Sequence, residues 1–262
     1  EIICRNQTLQ ATTLAMNERL VSLNAELETQ LEKVAGQRAQ LEALNAALSR
    51  NLQHSVELSL KTMQTFYPTL GSQARRVYEL CRAMAEGLHL SAGERQVLEL
   101  GAWLHDIGLV GVPRSLIKRW EESPDSLTEA ERAIVQQHPI LGGELTGFAS
   151  PLTEVGGVIR AHHERFDGTG YPDGLAGDQI PWLARLLSVA VAYSESRTDG
   201  AATIEMIKHG RGSAFDPEAV RAFLRCLPQA TVPRRQREVL LSELKPGMVL
   251  ARGIYTANGM LL

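Results

Sequence analysis

The sequence predicts an all-α protein in which a long coiled-coil helix precedes a helical bundle, with a short β-hairpin-like tail at the C-terminus. Three observations lead to this fold class. Leucine and valine recur at heptad spacing in the first 65 residues, amphipathic segments with wide apolar faces follow, and strand-like patterns are confined to the end of the chain. We therefore divide the chain into residues 1–65, 66–236 and 237–262.

The first segment has the pattern of a parallel dimeric coiled coil. One apolar seam repeats every seven residues, at Leu20, Leu27, Val34, Leu41 and Leu48. A second seam mixes apolar and polar side chains, at Met16, Leu23, Asn24, Gln30, Leu31, Arg38, Leu44, Asn45 and Leu52. A helix of about 50 residues would extend roughly 75 Å. The alternative is a single helix folded back on the bundle, but its apolar face is too narrow for a globular core. We expect a homodimer through this helix.

The bundle segments carry helix start and stop signals. Ser91 followed by Glu94 has the pattern of a capping box, and Asp216-Pro217 is a typical helix start. Gly87 ends the segment before Ser91. In the tail, short β-rich runs are joined by Pro246-Gly247 and by Asn258-Gly259, the latter a hairpin turn signal.

Composition limits the functional classes. A net charge of −3 over 262 residues gives no global attraction to nucleic acid or to an anionic membrane. No apolar run is long enough for a membrane span, and the three separated cysteines fit free thiols in a reducing cytoplasm. The chain starts at Glu1 and ends in an apolar Gly-Met-Leu-Leu, so we expect it to be cut from a longer protein with an upstream domain.

Four of the seven histidines could bind a metal. His105, His138, His162 and His163 all stand beside acidic, glycine or proline residues near predicted helix ends. A lone buried histidine is usually a core residue, but four in one helical domain, one followed by Asp106, favour a metal site. Imidazole and carboxylate ligands fit iron, manganese, zinc or nickel. The absence of a nearby cysteine argues against structural zinc.

Three motifs resemble the HD-GYP family of metal-dependent phosphohydrolases. They read LHDIG at 104–108, HPILGGELT at 138–146 and HHERFDGTGYP at 162–172. The resemblance covers roughly residues 60–228. It implies an HD-type helical bundle that hydrolyses the bacterial second messenger cyclic di-GMP, and a helical linker to a receiver or other sensory domain.

The resemblance also implies roles for the individual residues. Family members act through a cluster of two or three metals, with iron or manganese the expected ions. By position, Asp106 would be the catalytic bridging carboxylate, and His138, His162 and His163 would complete one metal with it. His105 would belong to the second metal.

The sequence departs from the family pattern at the second metal. Gln73 replaces a histidine on the preceding helix, and Val191 replaces an aspartate late in the domain. Leu109 replaces a lysine, and a segment that would supply further cations is shortened to Arg-Thr-Asp-Gly-Ala-Ala-Thr. We therefore expect one ion per chain. Glu195, one helical turn after Val191, offers a rescue that we consider less favourable, because Gln73 and the missing cations would stay uncorrected.

The loop after the paired histidines has two interpretations. Its glycines permit a tight surface loop in which the other residues only pack. The resemblance instead implies contacts with substrate or with a diguanylate cyclase partner, through Asp167, Gly168, Gly170, Tyr171 and Pro172. Arg165 and Asp167 are predicted to form an ion pair that shapes the loop.

Three functions remain open from the sequence. The favoured one is an output domain of a cyclic di-GMP signalling protein, impaired in hydrolysis and acting through binding or protein contacts. The alternative is an active phosphodiesterase that gives a linear dinucleotide or GMP. A third option is hydrolysis of a different phosphate ester.

Overall fold

The structure, a computed structural model, describes residues 2–66, 68–147, 152–196, 198 and 200–233. These residues are mostly α-helical and contain no β-sheet, which confirms the predicted all-α class. The chain divides into two compact units, residues 1–59 and 60–262. The hairpin-like tail predicted for 237–262 lies outside the described residues.

The described part of the chain forms ten α-helices. They are α1 (Ile2–Phe66), α2 (Pro68–Gly87), α3 (Ala92–Leu104), α4 (Arg114–Glu122), α5 (Glu129–Val135), α6 (His138–Gly147), α7 (Thr153–Arg160), α8 (Trp182–Glu195), α9 (Gly200–His209) and α10 (Pro217–Cys226). Short 3₁₀ turns join several of them, including Ile107–Gly111 directly after α3. None of these described helices combines the length and apolarity that crossing a bilayer would take.

The first unit is one uninterrupted helix with its heptad side chains facing outward. The five residues of the leucine and valine seam are 53–59% exposed, at Leu20, Leu27, Val34, Leu41 and Leu48. Large apolar side chains at regular helical spacing are normally covered in a folded protein. The helix therefore carries an apolar stripe that the chain's own first unit does not bury.

The second unit is a bundle built around α2. This helix packs against α3, α8 and α10, while α6 packs against α7. The helices α2, α3, α8 and α10 contribute buried apolar side chains to the core. These include Val77, Leu80, Met84, Leu98, Leu186, Leu187 and Phe223. Because aliphatic and aromatic surface is removed from water on several sides of α2, that helix anchors the bundle.

The predicted helix starts are present. Ser91 and Glu94 form both hydrogen bonds of the capping box at α3. Asp216 accepts hydrogen bonds from the amides of Glu218 and Ala219 at the start of α10. A second capping box, between Thr128 and Glu131, starts α5. These caps satisfy amides that have no partner within the helix.

Glycine at position 108 lets the turn after α3 lie directly on the first turn of α6. A β-carbon at Gly108 would stand 2.0 Å from the carbonyl oxygen of His138 and 2.7 Å from the amide nitrogen of Gly142. No side chain can occupy that space without moving backbone. The contact fixes the distance between the C-terminal end of α3 and the N-terminal end of α6.

We expect Gly108→Ala to destabilise the protein by about 3 kcal/mol, since backbone must shift to admit the methyl group. Gly157→Ala is the matched control, because a β-carbon at this exposed helical position meets nothing within 4 Å. That control should stabilise by about 0.5–1 kcal/mol. Urea denaturation followed by circular dichroism measures both changes. Equal stability of Gly108→Ala and wild type would contradict the close packing.

Candidate metal centre

Three helix ends bring the four histidines together. His105 is the C-cap of α3, His138 begins α6, and His162 and His163 follow α7. The ring centroids of His138 lie 5.4 Å from His162 and 5.0 Å from His163, and those of His105 and His162 are 5.4 Å apart. The predicted cluster of histidines is thus a single group in space.

Backbone carbonyls hold three of the rings in one orientation. The Nδ1 atoms of His105, His138 and His162 each bond to the carbonyl three residues earlier, those of Ala102, Val135 and Ile159. A carbonyl only accepts hydrogen bonds, so Nδ1 must carry the proton. In the neutral ring the lone pair is then on Nε2, which is the arrangement of a metal ligand.

Asp106 lies between two of these rings. Its Oδ2 is 3.2 Å from Nε2 of His105, and its Oδ1 is 3.5 Å from Nε2 of His138. The carboxylate is 1% exposed. Each oxygen therefore faces a different histidine, as expected for a carboxylate that bridges two positions.

The atoms that would bind a metal have no hydrogen-bond partner among the described residues. They are both carboxylate oxygens of Asp106 and the Nε2 atoms of His105, His138, His162 and His163. Buried polar atoms are normally paired, and leaving them unpaired costs about 1–3 kcal/mol each. Divalent cations bind atoms of these types, so the donor set fits the group that the sequence predicted.

Burial and mutual repulsion keep three histidines neutral. Burial lowers the pKa of His138, and burial followed by the neighbouring histidines lowers the pKa of His162 well below its ordinary value. The same two causes lower the pKa of His163 to about 3. Neutral imidazoles are the form that binds metals.

His105 and Asp106 shift each other's pKa. Burial would lower the pKa of His105, but the adjacent Asp106 carboxylate outweighs it and holds that pKa above its ordinary value. Burial would likewise raise the pKa of Asp106, but His105 and the other histidines hold it below its usual range. Asp106 is therefore an anion.

The donor atoms form two groups. One consists of His138, His162 and His163, and the other of His105, Asp106 and Glu195; within each group all donor atoms lie within 4.8 Å of one another. The sequence analysis named Glu195 only as a less favoured substitute for the missing aspartate. The signal that identifies it is its position one helical turn after Val191, on the same face of α8.

The departures from the family pattern have distinct structural roles. Val191 is 2% exposed and belongs to the core of the bundle. Gln73, on α2, donates a hydrogen bond from Nε2 to Oε1 of Glu195 at 3.0 Å. Leu109 is fully buried in an apolar cluster with residues that include Leu116 and Val135. The leucine at 109 therefore contributes to the core and presents no charge to the site.

The loop after the paired histidines is tied to the site by Glu164. Its buried carboxylate accepts hydrogen bonds from the amides of Asp173 and Leu175, at 2.7 and 3.1 Å. The Tyr171 ring stacks on His163 with centroids 4.9 Å apart. A β-carbon at Gly170 would stand 2.3 Å from the backbone nitrogen of Arg165, so only glycine fits there.

The outer part of the loop is shaped by its own side chains. Arg165 pairs with Asp167 at 2.8 Å, which confirms the predicted ion pair, and Asp167 also accepts hydrogen bonds from Thr169. Gly168 has a φ of +78°, which suits glycine. Asp167 is exposed, whereas Tyr171 and Pro172 are half-buried. The loop thus has an inner side against the histidines and an outer side toward solvent.

A cavity of about 90 Å³ lies beside Tyr171. Trp120 and Tyr171 supply aromatic faces, Leu127 and Val135 an apolar wall, and Arg132 a cation. The Trp120 ring is also 6.1 Å from that of His138. The cavity therefore neighbours the histidine cluster and combines aromatic surface with positive charge.

Comparison with known proteins identifies relatives. The profile described as HD domain matches residues 15–219. The chain is 38% identical to the cyclic di-GMP phosphodiesterase response regulator RpfG of Xanthomonas campestris pv. campestris, over 57% of this chain and 41% of that protein. It is 31% identical to a probable cyclic di-GMP phosphodiesterase of Vibrio cholerae, over 78% of this chain and 49% of the relative. The chain thus spans less than half the length of these two proteins.

Solved structures share the fold. Bd1817, an HDG"Y"P protein from Bdellovibrio bacteriovorus, is 25% identical and matches with a TM-score of 0.51 over 60% of this chain and 51% of that one. A cyclic GMP-AMP-specific phosphodiesterase of Vibrio cholerae matches with a TM-score of 0.51 at 19% identity, over 66% of this chain and 48% of its own. The second likeness concerns the fold alone.

We expect the metal-free protein to lose stability as the pH falls below 6.5. His138, His162 and His163 are protonated in the unfolded chain at such pH values. In the folded protein they stay neutral, because their pKa values lie below the ordinary 6.5. His105 adds nothing to this slope, because its raised pKa makes its contribution complete below 6.5 and lost only at higher pH.

The measurement is urea denaturation at pH 6.5 and pH 5 with a chelator present. His163→Gln should reduce the loss between these pH values by about 1–2 kcal/mol relative to wild type. His209→Gln, at the exposed end of α9, is the control and should follow wild type. A loss of the same size in His163→Gln and wild type would show that His163 is not held neutral.

Proposed function

This chain belongs to the HD domain family, and we propose that it is the output domain of a bacterial cyclic di-GMP signalling protein, impaired in hydrolysis and acting through binding or protein contacts. The observation that carries the proposal is the buried cluster around Asp106, whose ligand atoms have no hydrogen-bond partner among the described residues. Such a cluster has the chemistry of a metal centre rather than of a packed core.

HD-domain phosphohydrolases bind divalent metals, and the residues present fit such an ion. His138, His162 and His163 would hold it with Asp106, and iron or manganese is the ion we propose. A bound divalent cation would supply Lewis acidity toward a phosphodiester and acidify a water molecule. The protein contributes rings fixed by backbone carbonyls, so little reorganisation is needed when the ion enters.

Cyclic di-GMP is the ligand we propose, because the two relatives described above are named for it. A further Vibrio cholerae relative, 32% identical, is named as specific for 3'3'-cGAMP, so the relatives share the class of cyclic dinucleotides. The residues that line the small cavity beside Tyr171 have the chemistry to contact part of such a ligand. Trp120 and Tyr171 offer faces for a base, and Arg132 offers charge for a phosphate.

The chemistry of the substituted positions supports impaired hydrolysis. Phosphodiester cleavage requires stabilisation of developing negative charge. Leu109 is buried in the apolar core, and Val191 presents no ligand atom. A neutral amide stands at Gln73. Each change removes a charge or a ligand that the family pattern has.

The second candidate function is active hydrolysis of cyclic di-GMP to a linear dinucleotide or GMP. It is favoured by one observation, the presence of Glu195 with His105 and Asp106 in a second group of donor atoms. A carboxylate there could replace the aspartate that Val191 lacks. The rate of turnover distinguishes this candidate from the first.

We also propose that the chain works as a parallel homodimer in the cytoplasm. The exposed heptad stripe of α1 supports a second copy as its partner. In this proposal residues 1–65 form a signalling linker and 66–236 the HD-GYP domain. Cys81 and Cys226 are buried free thiols, in keeping with a reducing compartment. The exposed side of the loop, at Asp167, is the surface we assign to a diguanylate cyclase partner.

We expect the anaerobically purified, iron- or manganese-loaded protein to bind cyclic di-GMP and to hydrolyse it about 100-fold or more slowly than the Xanthomonas relative. Loss of a single charge-stabilising group costs about 10²–10³ in kcat. Equilibrium dialysis measures binding, and chromatography of the products measures turnover. The double variant His162→Ala, His163→Ala should lose metal and the ligand with it.

Two results would change the conclusion. Turnover equal to that of the Xanthomonas relative would make the second candidate function correct. Absence of cyclic di-GMP binding by metal-loaded protein would remove cyclic di-GMP from the proposal.

We expect the double variant Leu27→Asp, Leu41→Asp to weaken dimerisation about 100-fold or more, because it places charges in the apolar seam of both chains. The matched control is Ala25→Asp, Ala39→Asp, which adds the same charges outside the seam, at exposed positions. Sedimentation equilibrium gives the dissociation constants. Equal effects of the two double variants would argue against a coiled coil with this seam.

A further inference from the structure

We propose that His105, Asp106 and Glu195 form a second metal position, with Gln73 as the residue that positions Glu195. The proposal rests on the metal centre proposed above and adds to it a ligand role for Glu195 and a positioning role for Gln73. Its basis is the meeting of α2, α3 and α8, where the donor atoms of the three ligands lie within 4.8 Å of one another.

The geometry of α8 explains how Glu195 reaches the site. It is the last residue of the helix, one turn after Val191. Side chains on a helix lean toward its N-terminus, so Glu195 leans back over the turn that contains Val191. Glutamate has one more methylene than aspartate and therefore reaches further. The carboxylate of Glu195 can thus reach the ligand position that the side chain of Val191 cannot fill.

Gln73 holds that carboxylate. Its Nε2 donates to Oε1 of Glu195 at 3.0 Å, across the contact between α2 and α8. An amide is a neutral donor, so it orients the carboxylate without cancelling its charge. Hydrogen bonds of this kind orient metal ligands, and their loss typically costs about 10–100-fold in metal affinity. Glu195 would thus be the metal ligand, and Gln73 would be the residue that orients it.

Charge also favours a cation here. The carboxylates of Asp106 and Glu195 both approach the His105 ring, and Asp106 is 1% exposed. Two carboxylates at such a site repel unless a positive charge lies between them. A divalent cation would supply that charge, and a protonated His105 would also supply it. The experiment below separates these two.

The two positions differ in their ligand atoms. Three imidazoles make the His138 position rich in nitrogen, whereas two carboxylates and one imidazole make the Glu195 position rich in oxygen. Oxygen-rich sites suit manganese and magnesium, and imidazole-rich sites suit iron, zinc or nickel. We therefore assign the Glu195 position to a hard divalent cation such as Mn²⁺.

The test is Mn²⁺ titration of the full chain, followed by metal analysis and electron paramagnetic resonance. Wild type should bind two Mn²⁺ per chain and show the exchange-coupled signal of a neighbouring pair. Glu195→Gln keeps the shape and removes the charge, so it should bind one Mn²⁺ and lose that signal. Glu154→Gln changes an exposed glutamate on α7 and should behave as wild type.

Gln73 variants test the positioning role. Gln73→Leu should weaken the second Mn²⁺ about 10–100-fold while the first is unchanged. Gln73→Asn, which keeps an amide N–H donor and adds no metal ligand, should retain more of the second site than Gln73→Leu. Thermal melts of all variants with chelator identify any that fail to fold, and Glu195→Asp, which keeps the charge but shortens the side chain, then takes the place of Glu195→Gln with the same expected loss.

Each remaining outcome has a definite meaning. One Mn²⁺ per wild-type chain, or two in Glu195→Gln, would overturn the second position and leave a protonated His105 as the counter-charge. Binding of no metal by wild type would instead overturn the metal centre on which this inference rests. The two failures are therefore distinguishable.

Discussion

The structure of the site depends on one repeated interaction, a hydrogen bond from a histidine Nδ1 to a carbonyl in the preceding helical turn. The carbonyls of Ala102 and Ile159 belong to the last turns of α3 and α7, where the regular hydrogen bonding of the helix ends. A backbone carbonyl at a helix end thus serves as the hydrogen-bond acceptor. It fixes the tautomer of the ring and directs Nε2 away from the helix, toward the centre of the cluster.

Such an arrangement places strict demands on packing, because helix ends from different parts of the chain must meet within a few ångströms. Gly108 meets one demand by letting the turn after α3 lie on the backbone of α6. Gly143 and Gly156 meet another, since a β-carbon at Gly156 would approach the carbonyl of Gly143 to 2.8 Å. Glycine is therefore used at the contacts that bring ligands together, and bulky apolar residues fill the space behind them.

Much of this could be predicted from the sequence. Helical periodicity and capping signals gave the fold class, and the spacing of histidines beside Asp106 gave the cluster. The sequence pointed to Glu195 through its position one helical turn after Val191, but the glutamine at Gln73 was counted against it. Its hydrogen bond to Gln73 joins residues 122 positions apart, and no local pattern predicts such a pairing. The sequence also did not predict that Leu109 is buried in an apolar cluster, because its neighbours there are known only from the structure.

Glu164 lies between the paired histidines and the loop that follows them. It follows His163 directly, and its carboxylate closes the base of the loop on the amides of Asp173 and Leu175. Within that closed loop the inner residues face the imidazoles, and the outer ones are exposed. A substitution on the outer face, such as at the exposed Asp167, therefore lies away from the residues that contact the imidazoles. The buried carboxylate of Glu164 thus joins the loop to the residues that carry the imidazoles.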